Sequence, residues 1–367
     1  MIHKLTMPKW GLSMTEGKVV AWLAEDGAEV DAGAEVVEIE TEKIASGLEV
    51  PRPGILRQVS KIGEMAPVGA LIGVIVDAGD SQAEIDAFVA EFQASFVPEE
   101  AEEESPSAEP ETIEVLGKTM RYLKRGEGGD PAILFHGFGG DLNNWLFNHE
   151  ALAANRAVYA VDRPGHGGSS KDVGSATPDS FKDTLEGVMD ALDLPKAHLV
   201  GHSMGGGVSL DFALAHPERM LSLVLIASTG LGPEIDGGYI DGFVTASKRR
   251  DLKPHLEKLF ADPKQVTRQL IDDVLKYKRL DGVDLALRTI ADQFFPEGQQ
   301  VLILRDRLSE LSVPTLVLWG AEDRIVPVSH AEGLPANIET RIIPGAGHMV
   351  QMEAAAEVNR AITSFWG

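Results

Sequence analysis

The stretch AHLVGHSMGGGVSLDFAL, residues 197–214, decides the fold of the larger part of this 367-residue chain. An apolar, strand-like run ends at GHSMG, residues 201–205, and a helical pattern follows at once. A serine between two glycines at such a junction stands on a sharp, strained turn, because glycine has no Cβ to block the approach of strand and helix. The stretch therefore predicts that Ser203 is a nucleophile at the end of a strand.

Residues 113–367 repeat this alternation of an apolar run with a more amphipathic stretch. The runs are PAILFHG (131–137), RAVYAVD (156–162), AHLVGHS (197–203), LSLVLIAS (221–228), PTLVLWG (314–320) and ETRIIPG (339–345). This alternation predicts a mainly parallel α/β sheet. In such sheets the functional residues gather at the carboxyl ends of the strands.

A serine nucleophile requires a base, and the base requires a carboxylate that orients it. His348 lies in the last strand-to-helix loop and is the predicted base, while Asp323 follows the PTLVLWG run and is the predicted acid. Glu322 remains an alternative acid, since only geometry distinguishes two neighbouring carboxylates. His136 and His202 are interpreted as local structural or oxyanion-loop residues.

The segment HGFGG, residues 136–140, follows an early strand. We expect it to place the backbone N–H of Phe138 beside that of Met204, which gives two fixed donors where negative charge develops during attack on a carbonyl. The pair is the predicted oxyanion hole.

In the chain order Ser, Asp, His and in the loop DRPGHGGSS (162–170), residues 113–367 resemble the α/β-hydrolase family. The resemblance implies that a helical cap, at about residues 230–305, is inserted before the last strands. Two basic runs of this cap, KRR (248–250) and KYKR (276–279), are able to meet phosphates, although a solvated helix face is the favoured interpretation.

Residues 1–79 contain an internal repeat, in which GKVVAWLAEDGAEVDAGAEVVEI (17–39) aligns with GILRQVSKIGEMAPVGALIGVI (54–75). Two similar halves with glycine turns predict a small, flattened all-β barrel or sandwich. With ETEKIASGLEV (40–50) joining the halves, the segment resembles lipoyl and biotinyl carrier domains, and the resemblance implies that Lys43 carries the covalent cofactor. Glu42 and Ile44 replace the methionines that usually flank a biotinylated lysine, which favours lipoate over biotin; an unmodified turn lysine is the remaining alternative.

Residues 80–112 divide into two parts. The first spaces Ile85, Phe88, Val89, Phe92 and Phe96 as one face of a helix over 81–97, and this face either packs on a neighbouring domain, which is favoured, or binds a partner. The second part, PEEAEEESPSAEPET (98–112), is too acidic and too poor in large apolar residues to bury a core, so we expect an extended linker.

Composition excludes several function classes. The net charge of −24, of which residues 81–112 supply 10 acidic residues and no basic residue, argues against nucleic-acid or anionic-membrane partners. The chain has no cysteine, so disulfides, thiolate metal sites and a cysteine nucleophile are excluded; we expect no metal site, and any thiol must come from a cofactor or substrate. No apolar run is long enough for a membrane span and no secretory signal is visible, which predicts a cytoplasmic protein.

The order of carrier domain, acidic linker and hydrolase-type domain resembles the acyltransferase components of acetoin dehydrogenase complexes. The resemblance implies acetyl transfer from a lipoyl thioester on Lys43 to coenzyme A through an acyl-Ser203 intermediate. It also implies, as partners, thiamine-diphosphate-dependent dehydrogenase subunits, dihydrolipoamide dehydrogenase and further copies of the chain. A hydrolase anchored by its lipoyl domain and a noncatalytic lipoyl scaffold remain alternatives, since many reactions share the same triad.

Overall fold

The computed structural model describes residues 2–8, 16–40, 45–96 and 109–367, and the chain divides into two compact units, residues 1–107 and 108–367. Lys43 and most of the predicted acidic linker lie outside the described residues.

The described residues of the first unit form eight strands in two antiparallel sheets, which confirms the predicted all-β fold. The strands are β1 (His3–Thr6), β2 (Glu16–Trp22), β3 (Glu29–Val30), β4 (Glu35–Glu40), β5 (Ala45–Glu49), β6 (Gly54–Gln58), β7 (Met65–Pro67) and β8 (Leu71–Val76). One sheet has the order β1-β8-β6-β3 and the other β5-β4-β2-β7. Their buried side chains, among them Val19, Ile39, Leu56 and Ile75, form one core.

The two sheets exchange their short strands between the halves of the repeat. The first half supplies β2, β3 and β4, and the second half supplies β6, β7 and β8. β3 pairs with β6 of the second half, whereas β7 pairs with β2 of the first half. Each half therefore completes the sheet of the other, which is the structural form of the repeat in the sequence.

Strand β8 is followed, after a short turn, by the helix α1 (Gln82–Ser95). It begins at a capping box, in which the Ser81 hydroxyl accepts the Glu84 N–H and the Glu84 side chain accepts the Ser81 N–H. Its apolar face packs on side chains of β8, with Ile85 4% exposed. The favoured interpretation of this face as a packing surface is correct for the first unit, which consequently extends beyond residue 79.

The second unit contains an eight-stranded, mainly parallel sheet, which confirms the predicted α/β class. Its strands are β9 (Glu111–Val115), β10 (Lys118–Arg125), β11 (Ala132–Phe135), β12 (Val158–Val161), β13 (Ala197–His202), β14 (Met220–Ile226), β15 (Thr315–Gly320) and β16 (Ile338–Ile343). The order is β16-β15-β14-β13-β11-β12-β10-β9, in which only the pairs made by β10 are antiparallel. β9 begins at Glu111, two residues before the boundary expected from the sequence.

Helices cover this sheet and a group of them lies between β14 and β15. The helices of the second unit are α2 (His149–Leu152), α3 (Pro178–Ala191), α4 (Met204–Ala215), α5 (Gly237–Thr245), α6 (Arg249–Leu256), α7 (Arg268–Lys278), α8 (Val283–Phe294), α9 (Val350–Glu353) and α10 (Ala355–Trp366). Helices α5 to α8 fall within residues 230–305, the segment expected to form a cap. None of the helices in the described ranges is long and apolar enough to cross a membrane.

The basic runs of the cap are only partly solvated. Arg249 and Arg250 are exposed, and Arg249 also forms a two-bond ion pair with Asp272 that joins α6 to α7. Lys278 turns inward and donates hydrogen bonds to the carbonyl oxygens of Phe243 and Val244 at the end of α5. Burial lowers the pKa of Lys278 to about 8. The interpretation as a solvated face is therefore wrong for Lys278, whose charge stabilises the carbonyl end of a helix.

We predict that Ile85→Ala detaches α1 from the β-sheet. The substitution removes a buried side chain from the α1–β8 contact, and such truncations cost about 2–4 kcal/mol. Hydrogen exchange of the peptide 82–95 in the full chain is expected to speed up markedly. Glu91→Ala, on the exposed face of the same helix, is the control and should leave exchange unchanged; equal protection in the two variants would contradict the packing role.

Candidate active site

Ser203 stands on a strained turn between β13 and α4. Its φ of 53° and ψ of −123° lie in a region that side chains other than glycine rarely adopt. The neighbouring glycines are required by close contacts: a Cβ on Gly201 would lie 2.6 Å from the carbonyl oxygen of Gly205, and a Cβ on Gly205 would lie 2.2 Å from that of Phe135. The local fold thus holds the Ser203 side chain at the carboxyl end of the central strand.

The structure brings Ser203, His348 and Asp323 together in one hydrogen-bonded line. The distance from Ser203 Oγ to His348 Nε2 is 2.9 Å, and that from His348 Nδ1 to Asp323 Oδ2 is also 2.9 Å. Because a carboxylate only accepts, Nδ1 carries the proton and Nε2 is free to accept the serine proton. This is the arrangement of a nucleophile, its base and an orienting acid.

Asp323, and not Glu322, occupies the acid position. The Asp323 side chain has no solvent exposure, and its Oδ1 accepts the N–H groups of Ile325 at 2.8 Å and Val326 at 3.0 Å. These two bonds fix the carboxylate so that Oδ2 faces His348. Glu322 is exposed, and its side chain makes no hydrogen bond among the described residues.

His202, inside the serine turn, is buried and acts on the backbone of the base. Its Nε2 donates to the carbonyl oxygen of His348 at 3.0 Å. Burial and the nearby His348 hold the pKa of His202 well below its usual range, so the ring is neutral. His202 therefore supports the position of His348, in agreement with its interpretation as a local structural residue.

The HGFGG loop is anchored on one side of Phe138 by two donors to a single carbonyl oxygen. The Gly137 oxygen accepts from His136 Nδ1 at 2.8 Å and from Arg163 Nη2 at 2.6 Å. His136 Nε2 in turn accepts the Arg163 N–H at 3.2 Å. Burial, followed by the charge of Arg163, holds the pKa of His136 well below its usual range, so this imidazole is neutral.

On the other side of Phe138, a second buried imidazole holds the loop. His166 Nε2 accepts the N–H of Gly139 at 3.1 Å, and its Nδ1 donates to the carbonyl oxygen of Pro164 at 3.0 Å. Within the described part of the chain, the N–H groups of Phe138 and Met204 donate to no acceptor. These are the two donors expected to form the oxyanion hole.

The sequence did not predict the roles of Arg163 and His166. The signal for them was the DRPGHGGSS motif, which contains both residues. The motif does not reveal what Arg163 and His166 bind, because both side chains bind backbone groups of a loop about 25 residues earlier in the chain.

A cavity of about 90 Å³ lies over Ser203 and is mainly apolar. Its wall includes Phe138, Ser203 and His348, together with cap side chains such as Tyr239 and Phe243. The other large apolar members are Ile235, Ile240, Leu256, Leu259, Phe260, Leu270, Val274, Phe295, Ile325, Met349 and Met352. No Lys, Arg, Asp or Glu is among the described residues that line it. The cavity therefore suits a neutral, apolar group bound next to the serine.

The strands on both sides of Lys43 are described. β4 and β5 pair antiparallel, with Glu40 opposite Ala45, so that residues 41–44 connect two paired strand ends. Clusters of three or more potential metal ligands do not occur in residues 2–8, 16–40, 45–96 and 109–367.

The fold and the site define the second unit as an α/β hydrolase domain, and the family models agree. Residues 130–355 match the α/β hydrolase fold family, and residues 3–75 match the family of biotin-requiring enzymes, a biotin/lipoyl-type domain. A dihydrolipoyllysine-residue acetyltransferase component of the acetoin cleaving system from Pseudomonas putida is 52% identical over 99% of this chain and 98% of the relative. The component of the same name from Cupriavidus necator is 42% identical over 100% of this chain and 98% of the relative. The chain belongs to the family of these acetyltransferase components.

More distant relatives cover about two thirds of the chain. A 2-hydroxy-6-oxononadienedioate/2-hydroxy-6-oxononatrienedioate hydrolase from Cupriavidus pinatubonensis is 31% identical over 66% of this chain and 88% of the relative. Among solved structures, a meta-cleavage product hydrolase from Pseudomonas fluorescens IP01 is 27% identical and superposes with a TM-score of 0.65, covering 70% of this chain and 97% of that protein.

We predict that Asp323→Asn slows phosphonylation of Ser203 by about 10³-fold, because the neutral amide no longer holds His348 in the required tautomer. The rate of labelling by a fluorophosphonate reagent measures this effect, with Ser203→Ala as the blank. Glu322→Gln is the matched control and should label within twofold of the unaltered chain. A large loss in Glu322→Gln with normal labelling of Asp323→Asn would reverse the assignment of the acid.

Proposed function

We propose that this chain moves an acetyl group from a lipoyl thioester on Lys43 to coenzyme A through an acetyl-Ser203 intermediate. The observation that carries the proposal is the hydrogen-bonded line from Ser203 through His348 to Asp323 in a chain that also contains a biotin/lipoyl-type unit. The end-to-end similarity to proteins named as dihydrolipoyllysine-residue acetyltransferase components supports the same reaction.

Lys43 fits a covalently attached lipoyl group. It belongs to the four residues between the paired ends of β4 and β5. Its neighbours Glu42 and Ile44 differ from the methionines typical of biotin carriers. When attached, a lipoyl group supplies the thiol that carries an acyl group as a thioester, which this cysteine-free chain otherwise lacks.

In the acylation step, His348 Nε2 accepts the proton of Ser203 while Oγ attacks the carbonyl carbon of a bound acetyl thioester. The new C–O bond places negative charge on the carbonyl oxygen, which faces the N–H groups of Phe138 and Met204. The C–S bond then breaks, and His348 returns the proton to the leaving sulfur. Asp323 stabilises the imidazolium throughout this step.

In the deacylation step, the thiol of coenzyme A takes the place of the departed thiol. His348 Nε2 accepts its proton, the sulfur attacks the acetyl carbon, and the bond between the acetyl carbon and Ser203 Oγ breaks. His348 then returns the proton to Ser203. The relatives named as dihydrolipoyllysine-residue acetyltransferase components support a thiol acceptor rather than water.

The relatives' names describe components of a multienzyme system, and we propose the same setting for this chain. A thiamine-diphosphate-dependent dehydrogenase would deliver the acetyl group, and dihydrolipoamide dehydrogenase would reoxidise the dithiol. We propose that several copies of the chain assemble within the complex.

Mixing the purified chain with acetyl-dihydrolipoamide and coenzyme A is expected to yield acetyl-CoA as the main product. Ser203→Ala should lower this rate by at least about 10³-fold. Chromatography of acetyl-CoA and free acetate measures the partition. Free acetate as the main product in the presence of coenzyme A would instead support the anchored hydrolase. Normal turnover of an intact complex that contains Ser203→Ala would support the noncatalytic scaffold.

We also predict discrimination against charged acyl groups. An ionised carboxylate in a cavity without a cationic side chain loses hydration without gaining a partner, which costs several kcal/mol. Succinyl-dihydrolipoamide should therefore react at least about 100-fold more slowly than butyryl-dihydrolipoamide, measured as kcat/KM for acyl-CoA formation. The monomethyl ester of the succinyl donor, which is uncharged, is the control. Equal rates for the charged donor and its ester would contradict this view of the cavity.

A further inference from the structure

Arg163 is a buried guanidinium in the loop that follows β12. It is 0% exposed, and no carboxylate of the described residues forms an ion pair with it. Its Nε and Nη1 atoms have no hydrogen-bond partner there, while its side chain lies against the rings of Phe135 and Phe181, each with its centroid 5.6 Å from Cζ. Burial lowers the pKa of Arg163 to about 9, so the group stays charged at neutral pH. A buried charge without a counter-ion is costly, and an apolar side chain would fill this position at lower cost.

This guanidinium makes one hydrogen bond to the HGFGG loop, and its acceptor belongs to the Gly137–Phe138 peptide, which also contains the proposed oxyanion donor. Arg163 Nη2 donates to the carbonyl oxygen of Gly137, and the same planar peptide unit contains the N–H of Phe138. The peptide is trans, so its C=O and N–H point in opposite directions. With the oxygen held by Arg163, the Phe138 N–H is directed away from the guanidinium.

The opposite side of this peptide belongs to the active site. A Cβ on Gly137 would lie 3.0 Å from the Cβ of Ser203 and 2.9 Å from His202 Nδ1, and Phe138 shares the cavity wall with Ser203. His136 also donates to the Gly137 oxygen, but its ring is neutral. Arg163 is therefore the charged group on this carbonyl.

We propose that Arg163 is a positioning residue that orients and polarises the Gly137–Phe138 peptide, and thereby strengthens Phe138 N–H as a donor to the oxyanion at Ser203. A positive charge on the carbonyl oxygen draws electron density from the amide, and hydrogen bonds in such a chain strengthen one another. In a site shielded from water the charge also stabilises the developing oxyanion directly. The proposal rests on the acylation of Ser203 in the proposed function.

The test compares Arg163→Met with Arg156→Met in the full chain. Arg156 is also a buried arginine, but it stacks on Trp366 and donates its side-chain hydrogen bond to Asn155 Oδ1. The first measurement is kcat and KM for p-nitrophenyl acetate. The second is the affinity for an alkyl trifluoromethyl ketone, in which Ser203 Oγ bonds to the ketone carbon, His348 takes the serine proton, and the ketone oxygen becomes an oxyanion.

Loss of an oxyanion donor typically costs 10²–10³-fold in kcat, and we expect about 10–30-fold for the indirect loss in Arg163→Met. The ketone should bind more weakly by a similar factor, while KM stays within about twofold. Arg156→Met should change neither quantity. Unaltered kcat and ketone affinity in Arg163→Met would overturn the proposal, and so would a fall in kcat without weaker ketone binding.

A second pair of variants keeps the proposal testable if Arg163→Met does not fold, as judged by circular dichroism. Arg163→Lys retains a charge near the Gly137 oxygen, whereas Arg163→Gln retains only a neutral donor, so the Lys variant should acylate at least about fivefold faster. Equal rates would overturn the role of the charge. Absence of Ser203 acylation in the unaltered chain would refute the proposed function itself, an outcome distinct from equal rates in these variants.

Discussion

The active site depends on one strained residue, Ser203, whose backbone is held from both sides. Its N–H donates to the carbonyl oxygen of Ile226 at 3.0 Å, and its own carbonyl oxygen accepts the N–H of Thr229 at 3.0 Å. Both partners lie at or just after the end of β14, so the neighbouring strand keeps the turn in a conformation that costs about 1–3 kcal/mol in isolation. The carboxyl ends of β15 and β16 then bring the acid and base loops to the same edge of the sheet.

The residues around the serine nucleophile could be predicted, because they form a local sequence pattern or follow a fixed order along the chain. The glycines around Ser203 are dictated by contacts of less than 3 Å, and the order of Ser203, Asp323 and His348 follows from the sheet. The sequence does not distinguish Glu322 from Asp323, because the backbone donors of Ile325 and Val326 decide which carboxylate is fixed. Sequence also showed that α1 has an apolar face, but the surface that covers it depends on tertiary packing.

Arg163 and Lys278 show why other parts of the site escaped prediction. Each is a cationic side chain whose partner is a backbone carbonyl far away in the chain, and a carbonyl leaves no mark on residue identity. The two residues also support neighbouring parts of one cavity wall. Arg163 binds the loop next to Phe138, and Lys278 binds the end of the helix that carries Phe243. The centroids of the Phe138 and Phe243 rings are 5.9 Å apart. Two cationic side chains that do not line the apolar cavity thus hold the segments that form its wall.

The exchange of β3 and β7 between the two halves of the first unit has a consequence for the order of events during protein synthesis. The sheet that flanks Lys43 needs β7, and the other sheet needs β8 to join β1 to β6. Neither sheet is complete while only the first half has left the ribosome. In the proposed function, an enzyme that lipoylates Lys43 on the completed sheet would therefore act only after the whole unit has been translated, and modification would be coupled to completion of the carrier.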